Sequence, residues 1–213
     1  MTDTRNSPRG FTIVSARGLA LVTAVALLVG LSLGFGLSRV LGSGSPADDS
    51  AEAGFARDMT AHHAQAVAMG MIATKKGYSH EVRTMGEDIA MTQQGQIGIM
   101  SQWLRDWGLN NNGSGRPMAW MPDGDQVLTN GNLMPGMATQ AEMDALQNAT
   151  GKEVDRLFLE MMIKHHLGGV HMVDAVLEQS EDPDVTWLAK SMKAGQQAEI
   201  SDMQRLQETL AKR

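Results

Sequence analysis

One internal repeat constrains the fold of this chain more than any other feature. His62-His63 recurs as His165-His166, a shift of 103 positions (165 minus 62). The same shift relates Phe55, Met59, Val67 and Met69 to Phe158, Met162, Val170 and Met172. It continues into the segments that follow, where Val82, Gln93, Gln94, Ile97 and Met100 match Val185, Gln196, Gln197, Ile200 and Met203. A constant register across two successive segments indicates two copies of one structural unit.

Helix start and stop signals show what that unit is. Capping residues and Gly-containing breaks predict five helices: Asp49 to Gly77, Ser79 to Gly108, a short one from Thr139, Thr150 to Ser180, and Asp182-Pro183 to the C-terminus. No window alternates polar and apolar residues with period two, so no strands are expected. Each unit is therefore a helical hairpin with one apolar face. The predicted fold class is all-α, a four-helix bundle built from two repeated hairpins.

An apolar segment near the N-terminus predicts export or membrane insertion. Residues 18–38 carry no charge and follow three arginines, and about 20 apolar residues span a bilayer as a helix. We expect residues 1–17 in the cytoplasm, 18–39 as a transmembrane anchor or signal segment, and 40–49 as a linker. The helical domain, residues 50–212, would then face the periplasm or the exterior of the cell membrane, or be secreted if the segment is cleaved.

Charge and cysteine content exclude several classes of function. The chain has 18 Lys and Arg against 24 Asp and Glu, a net charge of -6, with no basic stripe. Nucleic acid is therefore not an expected partner. Because cysteine is absent, disulfides, thiolate metal ligands and iron–sulfur clusters are excluded.

Helical phase turns four histidines toward the bundle axis. At 3.6 residues per turn, His62 and His63 flank an apolar stripe that contains Met59, and the second copy repeats the arrangement. The partner helices turn Gln93, Gln96, Gln196 and Glu199 to the same interior. Four buried imidazoles would be costly if nothing bound there. Neutral imidazole suits copper, zinc, iron and nickel, whereas thioether sulfur selects Cu(I). Because cysteine is absent and few carboxylates point inward, the sequence predicts copper, with Cu(I) favoured over Cu(II).

The central loop, residues 109–138, adds further thioethers. It contains Met118, Met121, Met134 and Met137, and no usable periodicity. Methionines spaced along a flexible extracytoplasmic loop are suited to capturing Cu(I).

Enzymatic alternatives find less support in the motifs. A di-iron site needs Glu-x-x-His pairs, but Met59 and Met162 stand three residues before His62 and His165. Covalent c-type haem attachment needs cysteines. Two alternatives to a copper-binding protein without turnover stay open: a metal-dependent redox enzyme of the ferritin-like class, and a helical interaction module whose inward polar residues only set helix register.

Several motifs together resemble a known bacterial family, catalogued as domain of unknown function 305. They are Phe55-x-x-Asp58-Met59-x-x-His62-His63, Met134-Pro135-Gly136-Met137, Phe158-Leu159-Glu160-Met161-Met162-x-x-His165-His166, and a Gln-x-x-Ile-x-x-Met helix after each histidine pair. The resemblance covers nearly all of residues 50–210. It implies a ferritin-like four-helix bundle, exported or membrane-anchored, with copper binding in some members. Gln96 departs from the family pattern, whereas its repeat mate Glu199 keeps the carboxylate.

Residues and resemblance together define the predicted site. Its metal-binding residues are His62, His63, His165, His166, Met59, Met162, Met69, Met172, Met134 and Met137. The predicted function is copper sequestration or transfer in copper homeostasis. Its expected partners are the metal ion, the membrane through the N-terminal helix, and copper-handling proteins.

Overall fold

The chain is all-helical in a computed structural model, which describes residues 45–113, 115–129 and 132–212. Six helices occur in these ranges: α1 (Ala51–Lys76), α2 (His80–Asp106), α3 (Gly124–Val127), α4 (Gln140–Asn148), α5 (Lys152–Gln179) and α6 (Pro183–Leu210). The described residues form no strand, only an isolated bridge between Thr129 and Leu133. The predicted segments 1–17 and 18–39, and the linker up to residue 44, lie outside the described ranges. None of the helices described is long and apolar enough to cross a membrane.

Most helix boundaries agree with the capping signals. Ser79 caps α2, Thr139 and Glu142 form the capping box of α4, and the Asp182 side chain accepts two backbone N–H groups at the start of α6. The first helix begins one residue later than predicted, because Ser50 rather than Asp49 is its cap.

The predicted cap at Thr150 is wrong. Gly151 occupies the cap position of α5 with φ of 61° and provides no side-chain hydrogen bond. Glycine adopts this left-handed backbone conformation readily. The chain therefore turns into the helix at Gly151, one residue after Thr150. Glu153 and Asp155 supply negative charge in the first turn, where the helix dipole favours it.

The four long helices form two hairpins joined through their first helices. Helix α1 packs on α2, α5 packs on α6, and α1 also packs on α5. The apolar core has two clusters, one containing Met59 of α1 with Met172 of α5, the other Met69 of α1 with Met162 of α5. Along α1 the first cluster comes before the second, whereas along α5 the second comes before the first. The two helices therefore run antiparallel. The paired histidines lie between the clusters along both helices.

The central loop is packed against this core. Met118, Met121 and Met134 are buried, so the flexible setting expected for them is wrong. The cause is a clamp from α1, because Asp58 accepts hydrogen bonds from the Met118 backbone N–H (2.7 Å) and the Trp120 indole N–H (2.9 Å). The Trp120 ring also contacts Phe55 edge-on, with 6.0 Å between centroids.

The end of the same loop lies against α5. Gly136 turns the chain with φ of 77°, and the Pro135 carbonyl approaches the helix at Gly168. A Cβ added to Gly168 would lie only 1.9 Å from the Pro135 carbonyl oxygen. Gln65 of α1 holds the next part of the loop, since its side-chain amide both donates to and accepts from the Ala138 backbone.

Substituting Gly168 tests this contact. We expect Gly168→Ala to lower the free energy of unfolding by about 1–3 kcal/mol, because the loop backbone must move away. Gly98→Ala is the matched control, since a Cβ at this helical glycine meets nothing within 4 Å. It should raise stability by roughly 0.5–1 kcal/mol. Urea unfolding measures the free energy of unfolding of both variants. Equal changes in the two variants would contradict the packing of the loop against Gly168.

Candidate metal centre

Four imidazoles are buried together where the two hairpins meet. His62, His63, His165 and His166, which we call the histidine layer, each have at most 1% of their surface exposed. The rings of His62 and His165 lie 3.7 Å apart between centroids, with planes tilted by 32°. Within each pair the rings are more distant, 6.5 Å for His62 and His63, and 6.4 Å for His165 and His166. The predicted inward direction of all four histidines is confirmed.

Three of these rings are held through Nε2. His62 donates to the Pro135 carbonyl (3.0 Å), His63 to Gln96 Oε1 (2.7 Å) and His166 to Glu199 Oε2 (2.6 Å). A carbonyl, amide or carboxylate oxygen can only accept, so Nε2 of each ring carries the proton. In the neutral imidazole the lone pair is then on Nδ1.

The remaining ring nitrogens are buried without partners. Nδ1 of all four histidines has no hydrogen bond, and neither has Nε2 of His165. Buried polar atoms in proteins are nearly always bonded, so a group of five orphaned nitrogens needs an explanation. Ligating histidines commonly donate one ring N–H to an oxygen and bind a metal through the other nitrogen.

Burial keeps the rings of His62, His63 and His165 neutral. Desolvation lowers the pKa of His62 to about 4, against an opposing effect of the Pro135 hydrogen bond. Desolvation, with the charge of His62 next in size, lowers the pKa of His63 to about 3. The pKa of His165 is also lowered, first by burial and then by the neighbouring imidazoles. Neutral imidazole is the form that binds metal.

Thioethers lie on both sides of the histidine layer. Met59 and Met172 are fully buried in one core cluster, and Met69 and Met162 in the other. Met59 and Met162 are each one helical turn before the first histidine of a pair. The structure thus brings the predicted histidines and core methionines into one region of the molecule.

Other predicted residues have different surroundings. Met134 is buried in the first cluster and Met137 is half-buried beside it, both in the turn that carries the Pro135 carbonyl. His171 is exposed and pairs with Asp123 of the central loop (3.0 Å), away from the histidine layer. Among the described residues, no three His, Asp or Glu side chains form a group that could hold a metal ion. A metal site in this region would therefore have to combine at most two imidazoles with thioethers.

Two contributors to this region are absent from the sequence prediction. The Pro135 carbonyl carries no side-chain signal, and only folding brings it to His62. Asp58 stands in the quoted motif, but its role as the clamp of the central loop is not evident from spacing. By contrast, the inward positions of Gln96 and Glu199 follow from helical phase.

The family resemblance is confirmed by comparison. A family model described as "Domain of unknown function (DUF305)" matches residues 52–207. The chain belongs to the DUF305 family. Among curated proteins, none matches this chain.

Solved structures of similar proteins extend the comparison. A DUF305 protein of Streptomyces coelicolor, named as a candidate secreted protein, is 42% identical, with a TM-score of 0.70, over 78% of this chain and 96% of its own. A DUF305 fragment from Deinococcus radiodurans is 29% identical, with a TM-score of 0.61, over 76% of this chain and 97% of its own. CopM in its Cu(I)-bound form is 26% identical, with a TM-score of 0.56, over 77% of this chain and 97% of its own. CopM is also known in Cu(II)-bound, Ag-bound and apo forms.

The lowered histidine pKa values predict how stability depends on pH. In the unfolded chain a histidine takes up a proton near pH 6.5, whereas folded His62 stays neutral to about pH 4. Between these values the unfolded state binds more protons, so the free energy of unfolding falls as the pH falls. His62 alone should contribute a loss of about 3 kcal/mol over this window. Urea unfolding of the metal-free protein at several pH values measures the slope.

Two variants isolate this contribution. His62→Gln keeps an N–H donor for the Pro135 carbonyl but does not titrate, so its stability should fall less between pH 6.5 and 4. His171→Gln removes an exposed histidine and should keep the slope of the unchanged protein. A steep slope retained in the His62 variant would contradict the assignment.

Proposed function

We propose that this protein is an extracytoplasmic copper-binding protein that sequesters copper or passes it on, with the histidine layer and its flanking methionines as the binding site. The fold we propose for this role is a four-helix bundle of the ferritin-like class. Copper is the cargo of such a protein, and no chemical turnover is part of the proposal.

The observation that carries the proposal is the set of orphaned imidazole nitrogens. Nδ1 of all four histidines is buried and without a partner, while three of the rings are oriented through Nε2 by oxygen acceptors. A metal ion would satisfy the free lone pairs, and the acceptors would fix the rings for binding. Without such a ligand, each orphan costs stability.

The donor types favour a soft ion. Cysteine is absent, and no group of three His, Asp or Glu side chains is formed in the described residues. Hard cations and zinc would be poorly served by such a set, whereas thioether with imidazole suits Cu(I). His62, His63, His165 and His166 would supply nitrogen, with no more than two of them binding one ion, and Met59, Met69, Met162 and Met172 would supply sulfur.

Relatives support both the metal and the compartment. CopM, with about a quarter of its residues identical, has structures with Cu(I), Cu(II) and Ag bound. The Streptomyces coelicolor relative is named as a candidate secreted protein. The uncharged segment at 18–38 accords with export, and we propose that it anchors the domain to the cell membrane or serves as its signal.

Met134 and Met137 have a separate place in the proposal. Their turn holds the Pro135 carbonyl against His62 and lies at the edge of the histidine layer. We propose that these two thioethers receive the ion before it reaches the imidazoles. Copper-handling proteins of the same compartment would be the donors or acceptors.

Metal binding should stabilise the folded protein. An ion that binds only the folded state adds roughly 2.7 kcal/mol at about 100 times its dissociation constant, which corresponds to a rise in Tm of about 5–10 °C. Elemental analysis of protein purified under defined copper, zinc and iron, together with thermal unfolding with and without Cu(I), tests this. Bound zinc or iron in place of copper would contradict the choice of metal.

Histidine variants locate the site. Replacing His62 by Gln and His165 by Leu removes two imidazole ligands, keeps an N–H donor for the Pro135 carbonyl, and should abolish the rise in Tm. His171→Leu is the control at an exposed position and should keep the full response. The proposed site is wrong if the double variant still responds fully, or if the His171 variant loses the response.

Methionine variants test the thioethers. Leu has nearly the volume of Met, so Met59→Leu with Met162→Leu should preserve folding. We expect weaker binding of Ag(I), a redox-inert soft ion, in this variant. The control is Met91→Leu, because Met91 is 69% exposed on α2. Unchanged Ag(I) affinity in the double variant would exclude the two sulfurs as ligands.

A further inference from the structure

The two halves of the histidine layer differ in charge at positions that the repeat makes equivalent. We propose that they form two unequal metal sites: the half containing His166 and Glu199 prefers a divalent ion, and the half containing His63 and Gln96 prefers a monovalent soft ion. This inference rests on the proposed function and adds to it a difference in ion preference between the two hairpins.

The second histidine of each pair makes the same hydrogen bond in both halves. His63 and His166 are 103 positions apart, and so are Gln96 and Glu199. Each histidine donates Nε2–H to the residue 33 positions later, at 2.7 Å for Gln96 and 2.6 Å for Glu199. In both rings Nδ1 is buried and without a partner. The acceptors are half-buried at equivalent places on α2 and α6.

The chemistry of the two acceptors is different. The Gln96 amide is neutral, so its bond orients the His63 ring and adds no charge. The Glu199 carboxylate brings a negative charge to within hydrogen-bond distance of His166, and side-chain exposure of only 29% limits its screening by solvent. A carboxylate that accepts from a ligating imidazole also raises the basicity of the metal-binding nitrogen.

The charge of the bound ion decides how much this difference matters. The attraction of a fixed carboxylate for a cation scales with the charge of the cation, so a divalent ion gains about twice as much as a monovalent ion at the same distance. A more basic imidazole nitrogen also favours the harder Cu(II) over Cu(I) or Ag(I). Glu199 is therefore a positioning residue that selects ion charge through His166, and Gln96 is its neutral counterpart.

Charge substitution at the equivalent positions tests the proposal. Dissociation constants for Cu(II) and Ag(I) are measured on the full-length chain, with the EPR spectrum of bound Cu(II) as a direct report on its ligands. Glu199→Gln keeps the acceptor and removes the charge, and should weaken Cu(II) binding about tenfold or more while Ag(I) binding changes little. The EPR spectrum should change with it. Glu208→Gln removes the same charge from an exposed position on the same helix and should leave both affinities unchanged.

A second variant keeps the test decisive if Glu199→Gln folds poorly. Gln96→Glu places a carboxylate in the other half and should strengthen Cu(II) binding there relative to Ag(I). The inference is overturned if either variant changes the two affinities by the same factor, or changes neither. Failure of the unchanged chain to bind either ion would overturn the proposed function and this inference with it, so the two failures are distinguishable.

Discussion

The burial of four imidazoles between two hairpins is the constraint on which the rest of this structure depends. Each ring must be oriented inside an apolar core, where an unpaired polar group is expensive. Oxygen acceptors from three different elements hold Nε2 of His62, His63 and His166. The His165 ring lies beside the His62 ring instead, with 3.7 Å between the centroids and the planes tilted by 32°. The core is therefore divided, with methionine-rich apolar clusters on each side of a polar layer.

The central loop completes this layer. Asp58 fixes its first part through Met118 and Trp120, and Gln65 fixes its last part at Ala138. Between these clamps the Pro135 carbonyl meets His62, at a place where only glycine at position 168 leaves room for the backbone. A methionine-rich segment with no helical periodicity thus becomes part of the core, and the acceptor for one imidazole comes from outside both hairpins.

The repeat makes the differences between its two copies informative. Glu199 and Gln96 occupy equivalent positions and accept equivalent hydrogen bonds from His166 and His63. The two positions therefore differ in charge but not in hydrogen-bond geometry. The surroundings of His62 and His165 differ in the same way, because the Pro135 carbonyl reaches only one of them. Two copies of one hairpin have kept a shared arrangement of donors while their electrostatic surroundings have diverged.

Sequence alone determined the two-hairpin plan, most helix boundaries and the inward direction of the histidines. These features are local: capping residues set the boundaries of α2, α4 and α6, and a period of 3.6 residues sets the face on which His62 and His165 lie. The start of α5 was missed because the left-handed backbone of Gly151 replaces a side-chain cap. The tertiary structure alone decided the burial of Met118, Met121 and Met134, the partnership of His62 with Pro135, and the close, tilted approach of the His62 and His165 rings. Each of these features joins residues more than 50 positions apart or depends on a backbone carbonyl. The spacing of residues along the chain indicates neither which distant residues meet in space nor the direction of a carbonyl group.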